Sequence, residues 1–494
     1  MPLMPDTAPP PTPHAKSETN IKETIESILI AFILAFIFRA FIVEAFVIPT
    51  GSMATTLLGA HMRYDCADCG YHFTVNYSGD QIDGDVQIPS FARVAVRDRN
   101  GVFTGQVVNQ VFAIHCPNCG YRVPRTNPDN PDADATAPPV HFGDRILVLK
   151  YLYLMQHPAR WDVVVFKNPD SPVRDHTQNY IKRLIGLPGE SIMILKGDIY
   201  TAPADAQTAE DFTVARKRGV AQEALWRIVY DHDYQPVENT PLTREVTDGQ
   251  GALLRVEPRF VVPWTPADGS GWSVAPDNRR AFVFDGQSGG LRFDPDANPT
   301  KYPLTDWMAY DVTVNQSAAE GASARPPFDT FARGGYDPVQ HPLHNVSDIK
   351  LHLYYTRQTG DGALVLRTTK LDHAFSVEIL PGRARMHMSV GDAEPVLIGE
   401  ASIPDVRRPM RIELVNADYR VSLSIDGREV LATNDEQYRP DIPWLIETEL
   451  RGVERPKPRI AIEARDQTCR IEHLSIWRDV YYSWRTMRPI RAVN

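Results

Sequence analysis

The chain opens polar and proline-rich and then turns abruptly apolar. Residues 1–20, with PDTAPPPTP, show no helical or strand period and are read as a disordered tail. From Ile28 to Phe38 every side chain is apolar (ILIAFILAFIF). Arg39 interrupts the run, and Ala40 to Val43 and Ala45 to Ile48 continue it around Glu44. A segment that is apolar all round, rather than along one stripe, predicts a helix in lipid. The span Ile25 to Ile48 is long enough to cross about 30 Å of hydrocarbon. Residues 21–48 are therefore expected to form a single transmembrane anchor, ended by Pro49. A buried core helix is the competing reading. A cleaved signal peptide is disfavoured, because no small-residue A-x-A site follows closely. Arg39 and Glu44 can snorkel to the interface. Lys16 and Lys22 before the span, with Arg39 and Arg63 at or after it, leave its orientation open.

Beyond the span the pattern changes to short alternating runs. Residues 65–140 are punctuated by Cys, Gly and Pro and end in a loop, NPDNPDADATAPP. From His141 come β-branched runs separated by turn residues: RILVLKY, WDVVVFKNP and NYIKRLIGLPGESIMI. After about Tyr200, many short runs follow, including RAFVFDG, GGLRF, DIKLHLYY, FSVEIL, MRIELVN, PRIAIEA and RIEHLSIW. Regular strands with turn signals predict a mainly β chain with a jelly-roll-like β-sandwich. SIDGRE carries an Asp-Gly hairpin turn. Gly286-Gln287-Ser288-Gly289-Gly290 matches the G-x-S-x-G nucleophile elbow. That elbow needs a helix after it, and GGLRFDPD reads as a strand, so the motif is expected to be a hairpin turn.

Composition narrows the picture. The 494 residues are 43% hydrophobic and 23% charged, ordinary globular usage that excludes a disordered, collagenous or polytopic chain. With 52 basic against 62 acidic residues the net charge is −10, which offers no nucleic-acid footprint. Forty-one prolines favour loops and short strands. Five cysteines are too few for a disulfide scaffold.

Three groups of residues carry candidate chemistry. Ser52 lies four residues past the apolar span, within about 14 Å of extended chain, so it is expected to act at a membrane surface. Locally, Ser52 or Thr50 could equally cap a turn. Lys182 shares a strand face with Tyr180 and Leu184, a setting expected to desolvate the amine and lower its pKa; a surface lysine is the plainer alternative. Cys66-x-x-Cys69 and Cys116-x-x-Cys119, 46 residues apart and each followed by Gly-Tyr, suit one tetrahedral zinc ion. Two disulfides are the alternative. His61, His72 and His115 flank the pairs and could substitute as ligands, whereas Cys469 reads as a buried hydrophobe.

Taken together, IPTGSM after an anchor, FGDRILVLKYLY, WDVVVFKNP and YIKRLIGLPGE resemble, in order, the boxes of the bacterial type I signal peptidases. The resemblance covers about 70 residues. It implies an antiparallel β catalytic core anchored in the cytoplasmic membrane, with its catalytic domain on the extracytoplasmic side. It implies that Ser52 is the nucleophile and Lys182 its general base, and that the Ser52 N–H and the Thr50 hydroxyl form the oxyanion hole. It implies exported preproteins as substrates, a translocon and membrane lipid as surroundings, no cofactor for catalysis, and structural zinc on the four cysteines. The family usually has Ser at position 50 and Pro at position 55, where this chain has Thr50 and Thr55. The family's closing element, GDN-x-x-x-S-x-D-S-R, is not found; PDNRR at 276–280 lacks its serine.

The expected layout is a tail (1–20), an anchor (21–48), a nucleophile segment (49–64), a zinc-ribbon-like insertion (65–140) and a catalytic β core (141–200). A β-sandwich insertion (201–480) and an incomplete return toward the catalytic core (481–494) complete it. The insertion's ligand is open: a partner, a glycan, or none. The rival to a signal peptidase is a catalytically impaired, membrane-anchored binding protein on a degenerate peptidase core.

Overall fold

A computed structural model describes residues 21–48, 51–76, 116–121, 141–167, 179–217, 219–237, 260–298, 304–306 and 344–482. It also places short backbone strands at 81–82, 85–86, 93–97, 103–108, 126–127, 130–134 and 140. The expected tail (1–20) and Thr50 lie outside the described residues. Two compact units emerge: residues 1–47 with 145–158, and residues 48–144 with 159–494.

In the first unit, helix Ile21–Ile37 runs into a π-helical turn, Phe38–Ile42, giving 22 continuous helical residues. At about 1.5 Å per residue they extend about 33 Å, enough to cross a bilayer core. Their apolar side chains are exposed, so no protein core among the described residues covers them. That favours the membrane span over the buried core helix. The helix is shorter than the expected 25–48 span. Val43–Val47 is instead a strand, paired antiparallel with Arg145–Leu149. Glu44 explains the switch: on the strand its carboxylate meets Lys150 Nζ at 2.6 Å, whereas on a lipid-embedded helix it would lie bare.

The second unit is built from antiparallel sheets. Val163–Lys167 pairs with Asn179–Arg183, and Glu190–Leu195 with Asp198–Pro203, which also takes Thr213–Val214. His61–Asp65 lies between Val140–His141 and His72–Asn76. Within 127–139, read as a loop, Thr126–Asn127 and Asn130–Asp134 pair as a short hairpin.

The bulk is one 13-stranded antiparallel sheet. Its spine is a single strand, Ile460–Arg478, which runs from within PRIAIEA through RIEHLSIW. The spine pairs with Asn278–Phe293, Ile349–Thr359, Leu364–Lys370 and Arg227–Asp231. Along Ile349–Thr359 and His373–Leu380, buried positions alternate with half-buried ones, the period-2 signature of a strand with one face on a core. The ends of the sheet approach each other, with Leu431 of Arg428–Ala432 beside Gly399 of Val396–Ser402, so it rolls into a barrel-like form. Arg420–Ile425 and Arg428–Ala432 form the expected hairpin, with Asp426 and Gly427 at φ 51° and 82°, as a type I′ turn requires.

The G-x-S-x-G segment is not a hairpin turn. It lies inside strand Asn278–Phe293, paired with the spine on both sides of Gln287. Its glycines permit close approach: a Cβ on Gly289 would meet the Ser270 hydroxyl at 2.5 Å. The strand runs on through the motif to Phe293 and, among the described residues, no helix directly follows it, so it is not a nucleophile elbow.

A buried ionic cluster ties the smaller sheet to the large one. Lys370 pairs with Asp348 and, at 3.3 Å, with Asp198. Lys217 pairs with Asp418 and, at 3.1 Å, with Asp479. Arg455 reaches Asp198 at 3.4 Å. Burial pushes Asp198 up to about 6, against the pull of Lys370 and Arg455.

Candidate active site

The segment around Ser52 is a tight turn held at several points. Gly51–Met53 forms a 3-10 turn, closed by Ala54 N donating to Gly51 O at 2.9 Å and Leu57 N to Met53 O at 2.9 Å. Asp144, from the FGDR box, secures both flanks. Its carboxylate accepts from Leu58 N at 2.8 Å, and its backbone carbonyl accepts from Ile48 N at 2.9 Å. Gly143 must be glycine, because a Cβ there would lie 1.8 Å from the Ile48 carbonyl oxygen. The FGDR match signalled both residues, although sequence reasoning gave them no role.

Lys182 sits in Asn179–Arg183, opposite Val164 of Val163–Lys167. Strand alternation sends Lys182 and Arg183 to opposite faces. Lys182 Nζ lies 2.7 Å from Ser52 Oγ and 3.1 Å from Ile181 O. Two residues 130 positions apart are thus within hydrogen-bond distance. The expected desolvation of the amine is not found: Lys182 is exposed, with Tyr180 and Leu184 only half-buried. A two-residue flank on a two-stranded ribbon is too small to enclose the ammonium.

Arg183 turns the other way. Its Nη2 donates to Thr56 Oγ1 at 3.1 Å and its Nη1 to Trp161 O at 2.8 Å. The same side chain therefore ties the Lys182 strand to the segment after Ser52. The IGLPGE turn is fixed by Glu190, which accepts from Leu187 N at 2.8 Å and Arg160 Nη2 at 2.6 Å. The Arg160 guanidinium holds the Glu190 carboxyl below its usual range. Thr50 lies outside the described residues, so half of the expected oxyanion hole is not described.

The four cysteines form the second candidate site. Cys66, Cys69, Cys116 and Cys119 are buried and unbridged, and their sulfurs all lie within 4.8 Å of one another. The two cross-knuckle pairs, Cys66–Cys119 and Cys69–Cys116, stand 3.6 Å apart. Zinc with Zn–S near 2.3 Å requires a tetrahedral edge of about 3.8 Å, whereas a disulfide is about 2.05 Å. The knuckles repeat one hydrogen-bond pattern. Cys66 N donates to Tyr71 O and Gly70 N to Cys66 O; Cys116 N donates to Tyr121 O and Gly120 N to Cys116 O. Gly70 and Gly120 take φ 75° and 79°, which explains the Gly after each second cysteine. Cys69 N and Tyr121 N point at Cys66 Sγ and Cys119 Sγ, the backbone donors that thiolates need. The donor set fits zinc. Among the described residues the ligand cluster consists of the four cysteines without His61 or His72, while His115 lies outside the described residues. The second knuckle docks on the large sheet through Asn118, whose side chain bonds the backbone of Asp231 and Tyr234.

Residues 122–251, which include Lys182, match the family described as signal peptidase, peptidase S26. The probable signal peptidase I-2 of Synechocystis sp. is 33% identical over 64 residues, 13% of this chain and 29% of the relative. Signal peptidase I of Rickettsia typhi is 24% identical over 207 residues, 42% of this chain and 53% of the relative. The chain thus spans about half or less of these curated relatives. Among solved structures, the carbohydrate binding module CBM66 from Bacillus subtilis overlaps 43% of this chain and 94% of its own, at 12% identity and a TM-score of 0.25. That score carries no argument on fold or ligand. Two further peptidases of Rickettsia, from R. massiliae and R. rickettsii, match at 25% identity over 211 residues. The family match and these relatives, together with boxes in the order the sequence suggested, make the chain similar to the bacterial type I signal peptidases.

Proposed function

We propose that this protein is a membrane-bound serine endopeptidase that removes N-terminal signal peptides from exported preproteins. One observation carries the reading: Lys182 Nζ lies 2.7 Å from Ser52 Oγ. A serine hydroxyl is a weak nucleophile and needs an adjacent base. Neutral Lys182 takes the hydroxyl proton as Oγ attacks the scissile carbonyl, and the tetrahedral oxyanion is held by the Ser52 N–H and the Thr50 hydroxyl. The intermediate collapses to an acyl-enzyme on Ser52, and the leaving amine recovers its proton from Lys182. Lys182 then takes a proton from water, whose attack frees the signal peptide as a carboxylic acid. A bound substrate strand, lying over the exposed amine, supplies the desolvation that the free chain lacks.

The helix Ile21–Ile42 serves as the single anchor in the cytoplasmic membrane, with the catalytic domain on the extracytoplasmic side beside the translocon. Residues 65–140 hold a structural zinc on Cys66, Cys69, Cys116 and Cys119. Catalysis needs no cofactor. The large sheet within 201–480 is an insertion in a catalytic core spread over 49–64, 141–200 and 481–494.

Purified full-length protein in detergent is given a preprotein beside Ser52→Ala. The unmutated chain is expected to release the mature protein, and Ser52→Ala to reduce the rate by at least about a thousandfold. No cleavage by the unmutated chain would sink this reading and leave the anchored binding protein. Equal cleavage by Ser52→Ala would remove Ser52 from the chemistry.

A further inference from the structure

Arg227 begins strand Arg227–Asp231 and faces Arg478 of the spine, so it is rooted in the large sheet. Its guanidinium reaches the turn that carries Ser52. Nη2 donates to Ala54 O at 2.9 Å, and Nη1 to Ala224 O at 3.3 Å and Trp226 O at 3.1 Å. Ala54 lies two residues after Ser52, and its N–H closes the turn on Gly51 O. Ala224 O also accepts from Thr56 Oγ1 at 3.2 Å, and Thr56 Oγ1 in turn accepts from Arg183. Two guanidiniums therefore converge on residues 54–56. One comes from the strand that bears Lys182, the other from the large sheet.

The energetics make Arg227 unusual. Burial lowers its pKa to about 10, and its hydrogen-bond acceptors are all backbone carbonyls. For stability alone, a half-buried cation without a carboxylate at hydrogen-bond distance is a poor choice beside an apolar side chain of similar volume. What it supplies is a planar fork that engages three carbonyls at once, those of Ala54, Ala224 and Trp226.

We propose that Arg227 is a positioning residue for Ser52, and that the large sheet thereby forms part of the catalytic scaffold. The inference rests on the reading of Ser52 as nucleophile. Arg227 pins the Ala54 carbonyl while Arg183 pins Thr56, and together they hold Ser52 Oγ at hydrogen-bond distance from Lys182. A serine displaced by about 1 Å loses alignment with its base, which costs rate rather than substrate affinity.

The test uses the full chain in detergent, with preprotein as substrate. Arg227→Ala is expected to lower kcat about ten- to a hundredfold while KM stays within about twofold. Arg227→Lys, which keeps the charge but cannot span these carbonyls with a planar fork, is expected to fall between. A purely structural role would lower the melting temperature and leave kcat within about twofold of the parent; that result overturns the proposal. If Arg227→Ala does not fold, Arg227→Lys decides by the same criterion. A second arm needs no peptidase activity: Ser52→Cys is alkylated with iodoacetamide, and the rate is compared with and without Arg227→Ala. Slower alkylation without Arg227 supports the brace even if the parent cleaves nothing, in which case the peptidase reading alone has failed. An unchanged rate counts against the brace.

Discussion

At the scale of single residues, side chains owe their chemistry to what packs around them. His232 is almost wholly buried, stacked on Phe282 at 4.5 Å. Its Nδ1 lies 3.0 Å from Tyr230 Oη, and its Nε2 lies 3.0 Å from Gln235 Nε2. That arrangement suits the neutral ring, with one nitrogen donating and one accepting. Burial lowers its pKa from 6.5 to about 4. The unfolded chain therefore binds a proton there that the folded chain refuses, between those two values. The stability this group contributes is complete above pH 6.5 and is lost as pH falls toward 4, up to about 3 kcal/mol. The melting temperature of the parent is expected to exceed that of His232→Gln by more at pH 7 than at pH 4.5. A gap that does not change with pH would contradict this assignment. Ser52 and Lys182 could be singled out in the sequence because each sits in a recognisable box, and the fold brings them within hydrogen-bond distance. Arg227 was not, because it belongs to no box and gains its meaning only when the Ala54 carbonyl is folded onto it.

At the scale of elements, spacing was a good guide to local geometry and a poor guide to where elements end. The repeated C-x-x-C-G-Y knuckles fold as their spacing required, down to the left-handed glycines. Full-length protein purified without chelator is expected to carry about one zinc per chain, and Cys66→Ser to lose most of it. Unchanged zinc content in that variant, or the recovery of two disulfides on thiol titration, would remove the site. The anchor shows the opposite case. Hydrophobicity alone carried the helix to Ile48, yet it stops at Ile42, because Glu44 finds Lys150 on a neighbouring strand. Likewise RAFVFDG and GGLRF looked like two strands around a turn. They are one strand, since the glycines between them pack closely rather than reverse the chain. A glycine pair reads the same locally in both roles; only the partner strand decides.

At the scale of the whole molecule, the second unit is more integrated than a small enzyme carrying an insertion. Asp198 of the smaller sheet, Lys370 and Asp348 of the large one, and Lys217 with Asp418 and Asp479 share one buried ionic cluster. Removing one partner of such a cluster leaves a bare buried charge, so the sheets depend on each other. None of this was legible in advance, because Asp, Lys and Arg scattered over nearly 300 residues look like a solvated surface until the chain folds. The candidate active site is likewise a product of long-range folding, since Ser52 and Lys182 meet across 130 positions. In the proposed mechanism Lys182 acts as a neutral base toward Ser52, not merely as a positive charge beside it. Lys182→Arg keeps the charge and the donors but cannot give up its proton near neutral pH. The most direct measurement is kcat for preprotein cleavage by the parent, Lys182→Arg and Lys182→Met, with folding checked by melting temperature. Both variants are expected to lose at least about a thousandfold in kcat. A Lys182→Arg variant within about tenfold of the parent would contradict it.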